Sequence, residues 1–216
     1  MLPEPARDCQ LCPRLAEFRS DCGAKHPDWF NGAVPSFGPA SAQLLIVGLA
    51  PGMQGANRTG RPFTGDYAGD LLYQTLDIYG FSSGTYGASP DDGLELIDCM
   101  ITNAVRCLPP QNKPTTAEIN SCRPFLAARI AALPNLRAVV ALGRIAHDAT
   151  VVAFGLRKSA VKFGHGARHE IERPDHGDKI YMFDSYHCSR YNTNTGRLTP
   201  DMFRQVFNDV QNCLNL

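Results

Sequence analysis

The sequence predicts an α/β fold: a three-layer α/β/α sandwich around a central, mainly parallel four-stranded sheet. Three observations carry this. Short apolar runs of buried-strand character alternate with longer segments of helical spacing along almost the whole chain, the pattern of βαβ units. The length of 216 residues suits one ordinary domain with a full core, so residues 1–216 are expected to form a single domain. The loops richest in Gly, Pro, Asn and Thr follow the apolar runs, where right-handed crossovers bring the carboxyl ends of parallel strands together.

The elements follow in order. Residues 1–39 are rich in Pro, Gly and polar residues, with a short helix at 13–19 after the first cysteine pair. Residues 43–49 form the first buried strand. Residues 50–65 are a loop of Gly, Asn, Thr and Pro. Residues 67–79 read as a helix, with Leu71, Leu72, Leu76 and Tyr79 near helical spacing and Gly80 at its end. Residues 81–93 are a polar insertion. Residues 99–104 form the second strand and 105–114 a loop containing Pro109 and Pro110. Thr115 or Thr116 caps the next helix, which carries Glu118 in its first turn and ends near Pro134. A third strand at 136–142 leads through Gly143 into a helix reaching about 154. Residues 161–176 form a loop or hairpin, 179–183 the fourth strand, 184–199 a long polar loop, and 200–214 the last helix.

Composition narrows the class. Apolar residues make up 44% and charged residues 19%, as in soluble globular proteins. The longest apolar runs are too short for a bilayer, and no signal peptide is evident; a cytoplasmic protein without membrane contact, and a monomer, are expected. The formal net charge is zero, so charge makes no case for a nucleic-acid partner.

Eight cysteines in a reduced compartment suggest ligation rather than disulfides. Cys9 and Cys12 form a C-x-x-C pair, and Cys107 and Cys122 follow with 14 residues between them. Four thiolates suit tetrahedral zinc or an iron–sulfur cluster. One tight pair plus two spread ligands favours the bulkier [4Fe–4S] cluster, though spacing alone leaves zinc open. Cys22, Cys99, Cys188 and Cys213 read as small buried apolar groups. His26, His147, His169 and His176 read as surface or satisfied buried groups, with His165 undecided.

Three segments carry the chemistry. Residues 48–66 begin as a glycine-rich turn whose amides can approach a ligand closely. No Gly-Lys-Ser/Thr closes that turn, which excludes a phosphate-binding loop. Within it, Phe63 reads as an exposed-loop aromatic fit to stack on a planar base. In residues 102–110, Asn103 at a strand end presents a donor and an acceptor in one plane, matching a pyrimidine edge. Residues 187–199 place His187 just after a strand, among small polar residues and Arg197.

In these segments, in the four cysteines, and in Asp28-Trp29-Phe30-Asn31 and Phe163-Gly164-His165-Gly166, the sequence resembles the uracil-DNA glycosylase superfamily, and more narrowly its family five (type B). The most specific runs are Asn57-Arg58-Thr59-Gly60-Arg61-Pro62-Phe63-Thr64-Gly65-Asp66 and Asn192-Thr193-Asn194-Thr195-Gly196-Arg197-Leu198-Thr199. The resemblance implies a monofunctional glycosylase acting on DNA that contains uracil or other deaminated bases such as hypoxanthine and xanthine. It implies that Phe63 stacks on the flipped base, Asn103 reads its edge, His187 donates to the base oxygen, and the backbone at Leu49 and Ala50 helps to bind the base. It also implies that Cys9, Cys12, Cys107 and Cys122 hold a structural [4Fe–4S] cluster. Where other branches carry a water-orienting polar residue, this chain has Leu49 and Ala50, as family five does; Asp66 is the candidate for that task, and equally a helix cap. Arg58 and Arg197 are candidate DNA contacts, while Arg61 and Arg106 read as phosphate contacts or surface charges. Three alternatives stand beside this reading: a catalytically inactive, cluster-bearing DNA-binding module, a cluster-bearing electron-transfer or redox enzyme, and a type A enzyme of narrow specificity.

Overall fold

The computed structural model describes residues 4–173 and 177–215. His176 and the end of the 161–176 segment lie outside the described residues. The elements are α1 (Pro13–Lys25), β1 (Leu44–Gly48), α2 (Ala56–Thr59), α3 (Tyr67–Ile78), β2 (Ser82–Ser83), β3 (Glu95–Leu96), β4 (Cys99–Asn103), α4 (Thr116–Ala131), β5 (Ala138–Leu142), α5 (Arg144–Ala153), β6 (Arg168–Glu172), β7 (Lys179–Ser185), α6 (Arg190–Asn194) and α7 (Pro200–Leu214).

The main sheet has five strands in the order β4-β1-β5-β7-β6, one more than the four expected. Its first four strands are parallel. The fifth, β6, is an antiparallel edge strand on β7. Its sequence, Arg-His-Glu-Ile-Glu, buries only Ile171, so it carries no apolar run to mark it. Such charges suit an edge strand, because they discourage pairing with another chain.

Period-two alternation divides the strands between two cores. Leu44, Ile46, Cys99, Ile101, Val140 and Phe183 join the layer with α3 and α7. Leu45, Val47, Met100, Val139, Ala141 and Met182 join the layer that holds Leu126 and Ile130 of α4 and Ala146 and Ala149 of α5. The three-layer prediction therefore holds.

Local chemistry sets the helix ends. Thr115 and Glu118 form a reciprocal capping box on α4, and Thr199 caps α7 ahead of Pro200. α1 is longer than the predicted 13–19 because its buried face is Leu15, Arg19 and Cys22; an arginine in that row hides the apolar period. The one-turn helices α2 and α6 lie inside segments expected to be loops. No helix among the described residues is long and apolar enough to cross a membrane.

The topology positions the site. The chain passes from β1 to β4 on one side and then to β5 on the other. Strand order thus reverses at β1, and a crevice opens at the carboxyl ends of the strands there.

Candidate active site

A cavity of about 460 Å3 fills that crevice, lined among others by Leu49, Ala50, Phe63, Asp66, Asn103 and His187. All six base-pocket and catalytic candidates therefore come together, although the first and last are 138 positions apart in sequence. Its size falls within the usual range for small-ligand sites.

Gly48 ends β1 in register with Asn103 of β4. A Cβ on Gly48 would lie 2.3 Å from Asn103 Oδ1 and 2.7 Å from the Phe63 ring. Only glycine lets these two side chains close over the strand end. The β1–β4 pairing continues past the strands through Val105 N–H to the Leu49 carbonyl, 3.0 Å, which fixes the backbone of the first loop. Asn103 is buried and its Oδ1 has no partner. A buried unpaired acceptor at a cavity wall awaits a ligand donor.

Phe63 corrects one expectation. It is not exposed but 7% accessible, with its ring in a core layer and one face on the cavity. Its ring centroid lies 5.8 Å from that of His187. Burial pushes the His187 imidazole down to about 4, so the ring is neutral at pH 7. Its buried Nδ1 has no partner.

Asp66 is the N-cap of α3, with Oδ1 accepting from Gly69 N–H at 3.2 Å. Its Oδ2 lies against the backbone of Gly52 and Gly55. Burial raises its pKa above the usual carboxylate value, and the amides of Gly69 and Ala68 oppose the shift. The cap is thus real, and the same carboxylate lines the cavity.

The strand that delivers His187 is braced. Asp184, fully buried on β7, accepts from His147 Nδ1 at 2.7 Å, His169 Nε2 at 3.0 Å and Gly164 N–H at 3.2 Å. The next residues of that loop continue the brace. His165 Nδ1 accepts from Tyr186 N–H at 3.2 Å, and its ring stacks on Tyr186. That settles the undecided His165 and gives Phe163-Gly164-His165-Gly166 a structural role. Asp28-Trp29-Phe30-Asn31 does the same for the first loop: Phe30 and Asn31 N–H donate to the Arg58 and Asn57 carbonyls at 2.9 and 3.0 Å.

The arginines divide. Arg197 is exposed, lies over the Tyr186 ring, and lines a groove next to the cavity with Arg144 and His187. Arg58 is exposed but does not line the cavity. Arg61 and Arg106 are buried, correcting their reading as phosphate contacts or surface charges. Arg61 pairs with Asp92 and Arg106 with Glu4, each at 2.7 Å. Tyr67, Arg144, Ile145, Ser189 and Arg190 also line the cavity and were not singled out from sequence. Arg144 had a signal: it follows a buried parallel strand and Gly143, the same kind of place as Leu49.

The four predicted ligand cysteines line one cleft with Leu15, Val105 and Phe125. All are free thiols. Arg19 Nη1 donates to Cys107 Sγ at 3.1 Å, and Arg106 N–H to Cys122 Sγ at 3.3 Å. Burial pushes the Cys12, Cys107 and Cys122 thiols up, Cys122 to about 12. Ala50 touches both places: it packs on this cysteine core and lines the cavity. Cys22, Cys99, Cys188 and Cys213 are buried, as expected.

A strand-order reversal, a cavity at the strand ends and a cysteine cleft mark an α/β protein with a ligand site and a thiolate site. The family model for the uracil DNA glycosylase superfamily matches residues 35–211. The type-5 uracil-DNA glycosylase of Thermus thermophilus is 45% identical over 214 residues, covering 96% of this chain and 94% of the relative. That of Pyrobaculum aerophilum is 39% identical, with 92% and 86% covered. That of Mycobacterium tuberculosis is 38% identical, with 94% and 77% covered. The chain belongs to the uracil DNA glycosylase superfamily and, within it, to the type-5 uracil-DNA glycosylases.

Proposed function

We propose that this protein removes uracil from DNA by hydrolysing its N-glycosidic bond, as a monofunctional base-excision repair enzyme. The observation that carries the reading is the convergence of Phe63, Asn103 and His187 on one cavity, with the Asn103 Oδ1 acceptor buried and unpaired. An extruded base lies against Phe63. Asn103 pairs with its lactam edge, a carbonyl beside an N–H. Hypoxanthine and xanthine share that edge, so they are proposed as substrates too. As the bond breaks, negative charge grows on the departing base, and neutral His187 donates to its oxygen. Asp66, at the cavity wall, orients water or stabilises the sugar cation, since Leu49 and Ala50 offer no polar side chain there. Arg197 and Arg58 are proposed to contact the DNA backbone. With a DNA substrate and reduced thiols, the cytoplasm is the proposed compartment.

The cysteine cleft fits a [4Fe–4S] cluster better than zinc. Thiolates on one tetrahedral zinc would lie about 3.8 Å apart, given Zn–S bonds of about 2.3 Å. Among the described residues, the group of three or more ligand-type side chains found within 4.8 Å of one another is His147, His169 and Asp184, not the cysteines. The N–H donors on Cys107 and Cys122 Sγ suit cluster thiolates. Cys9, Cys12, Cys107 and Cys122 would hold the cluster, which would supply a rigid, structural cross-link behind Ala50. No step of the hydrolysis runs through it.

The test is uracil release from a single-lesion oligonucleotide, read after hot alkali. Wild type releases uracil, and His187→Ala lowers the rate by about 10²- to 10³-fold, the usual cost of one oxyanion donor. An unchanged rate in His187→Ala would overturn the assignment.

A further inference from the structure

The 81–93 insertion has no role in the chemistry described so far, yet it reaches the turn that carries Phe63. Its Tyr86 hydroxyl donates to the Phe63 carbonyl and accepts from Gly65 N–H, both at 3.2 Å. Between these two bonds sits a turn under strain. Phe63 has φ +53°, a left-handed conformation that a bulky residue adopts only when its surroundings hold it. The preceding carbonyl is held as well: Tyr73 donates to Pro62 O at 2.7 Å. Tyr86 and Tyr73 stack with centroids 4.5 Å apart. Gly69 of α3 leaves the space for this, because a Cβ there would lie 1.9 Å from the Phe63 carbonyl oxygen and 2.6 Å from Tyr86 Oη.

The insertion is itself anchored. Asp92 forms two short bonds to Arg61, at 2.8 and 2.7 Å, with both side chains nearly inaccessible. Asp92 also accepts from Gly87 and Leu94 N–H, at 2.8 and 3.0 Å. One carboxylate thus shapes the insertion and ties it to the segment that carries Phe63.

We propose that the 81–93 insertion is a clamp for the base-stacking ring, with Tyr86 and Asp92 as positioning residues that hold Phe63 in its strained turn. This rests on the reading of Phe63 as the stacking residue. Loosening the clamp lets the turn relax toward ordinary φ and swings the ring off the base, while the surface that meets the DNA backbone stays as it was. Base affinity and backbone affinity should therefore separate.

The experiment measures inhibition by free uracil and, by fluorescence anisotropy, binding of a duplex with an abasic site, which has no base to stack. Tyr86→Phe keeps the ring on Tyr73 and removes only the hydroxyl. It should weaken uracil binding roughly 3- to 10-fold, the change expected for one or two lost hydrogen bonds, and leave abasic-duplex affinity unchanged. Asp92→Asn, acting at the far end of the clamp, should reproduce the split. Uracil affinity unchanged from wild type in both variants, or equal losses for uracil and abasic DNA, would overturn the clamp. Phe63→Ala separates the two layers. If it weakens uracil while Tyr86→Phe does not, the clamp alone falls; if it leaves uracil binding intact, the stacking role falls and the clamp with it.

Discussion

Replacing Asp184 by Asn should cost this protein stability in a pH-dependent way. The carboxylate is fully buried and accepts three hydrogen bonds. His147 donates to it through Nδ1 at 2.7 Å and faces the Val161 carbonyl through Nε2 at 3.1 Å. Both ring nitrogens face acceptors, which favours the imidazolium form of His147. Burial lowers its pKa, but the bond and the charge of Asp184 outweigh that and leave it raised. Asparagine removes the counter-charge and points its NH2 at donors. Breaking one side of a buried pair costs about 3–5 kcal/mol, and release of the His147 proton limits the loss to about 3. For a chain of this size, 1 kcal/mol shifts Tm by about 2–4 °C, so the expected drop is roughly 6–12 °C. A raised folded pKa adds stability that is complete below the unfolded value near 6.5 and fades as pH rises through the folded value. The Tm gap between wild type and Asp184→Asn should therefore be widest below the unfolded value of about 6.5 and narrow as pH rises above it. Thermal unfolding followed by circular dichroism across that range tests this. A gap that does not vary with pH would refute the imidazolium–carboxylate assignment, and no gap at all would refute the brace.

Other outcomes follow from the same geometry. Asp66→Asn should unfold within a few degrees of wild type, because Asn caps a helix as well as Asp, while single-turnover uracil release falls by about 100-fold or more; retained activity would leave Asp66 as a cap only. Gly48→Ala would bring a methyl to 2.3 Å from Asn103 Oδ1, so uracil release should be lost with a folded circular dichroism spectrum, and a normal rate would mean that Asn103 does not read the base. Purified protein should contain iron and acid-labile sulfide in equal amounts, lost together in Cys107→Ser; zinc in their place would defeat the cluster.

What could be read from sequence followed physical scale. The four parallel strands announce themselves because both faces are buried, making continuous apolar runs such as Ala138–Leu142. β6 stayed hidden because an edge strand can be charged nearly throughout. Phe63, Asn103 and His187 were legible because a parallel sheet gathers its loops at one end, whereas Leu49, Ala50 and Asp66 were picked out only through the family resemblance. Side-chain direction was not legible. Arg61 and Arg106 read in sequence as phosphate contacts or surface charges, and only the fold reveals Asp92 and Glu4 opposite them. Phe63 looked exposed for a related reason: Gly and Thr neighbours mark a loop, but not that a tyrosine from an insertion closes over it.

The site's economy of polar groups explains why so much of the surrounding sequence is specific. Burial pushes the His187 pKa down to about 4, which keeps its ring neutral at the cavity wall. Each loop of the site is fixed by buried protein groups. Asp184, His147 and His165 fix the β7 end, Asn31 and Phe30 fix the first loop, and Asp92 and Tyr86 fix the Phe63 turn. The charges needed for those braces are paired away from the cavity. The buried cavity atoms left without a partner are the Asn103 oxygen and the His187 Nδ1. A preorganised pocket of this kind spends little of its binding energy on reorganisation, and it fails first where a brace, rather than a contact to the base, is removed.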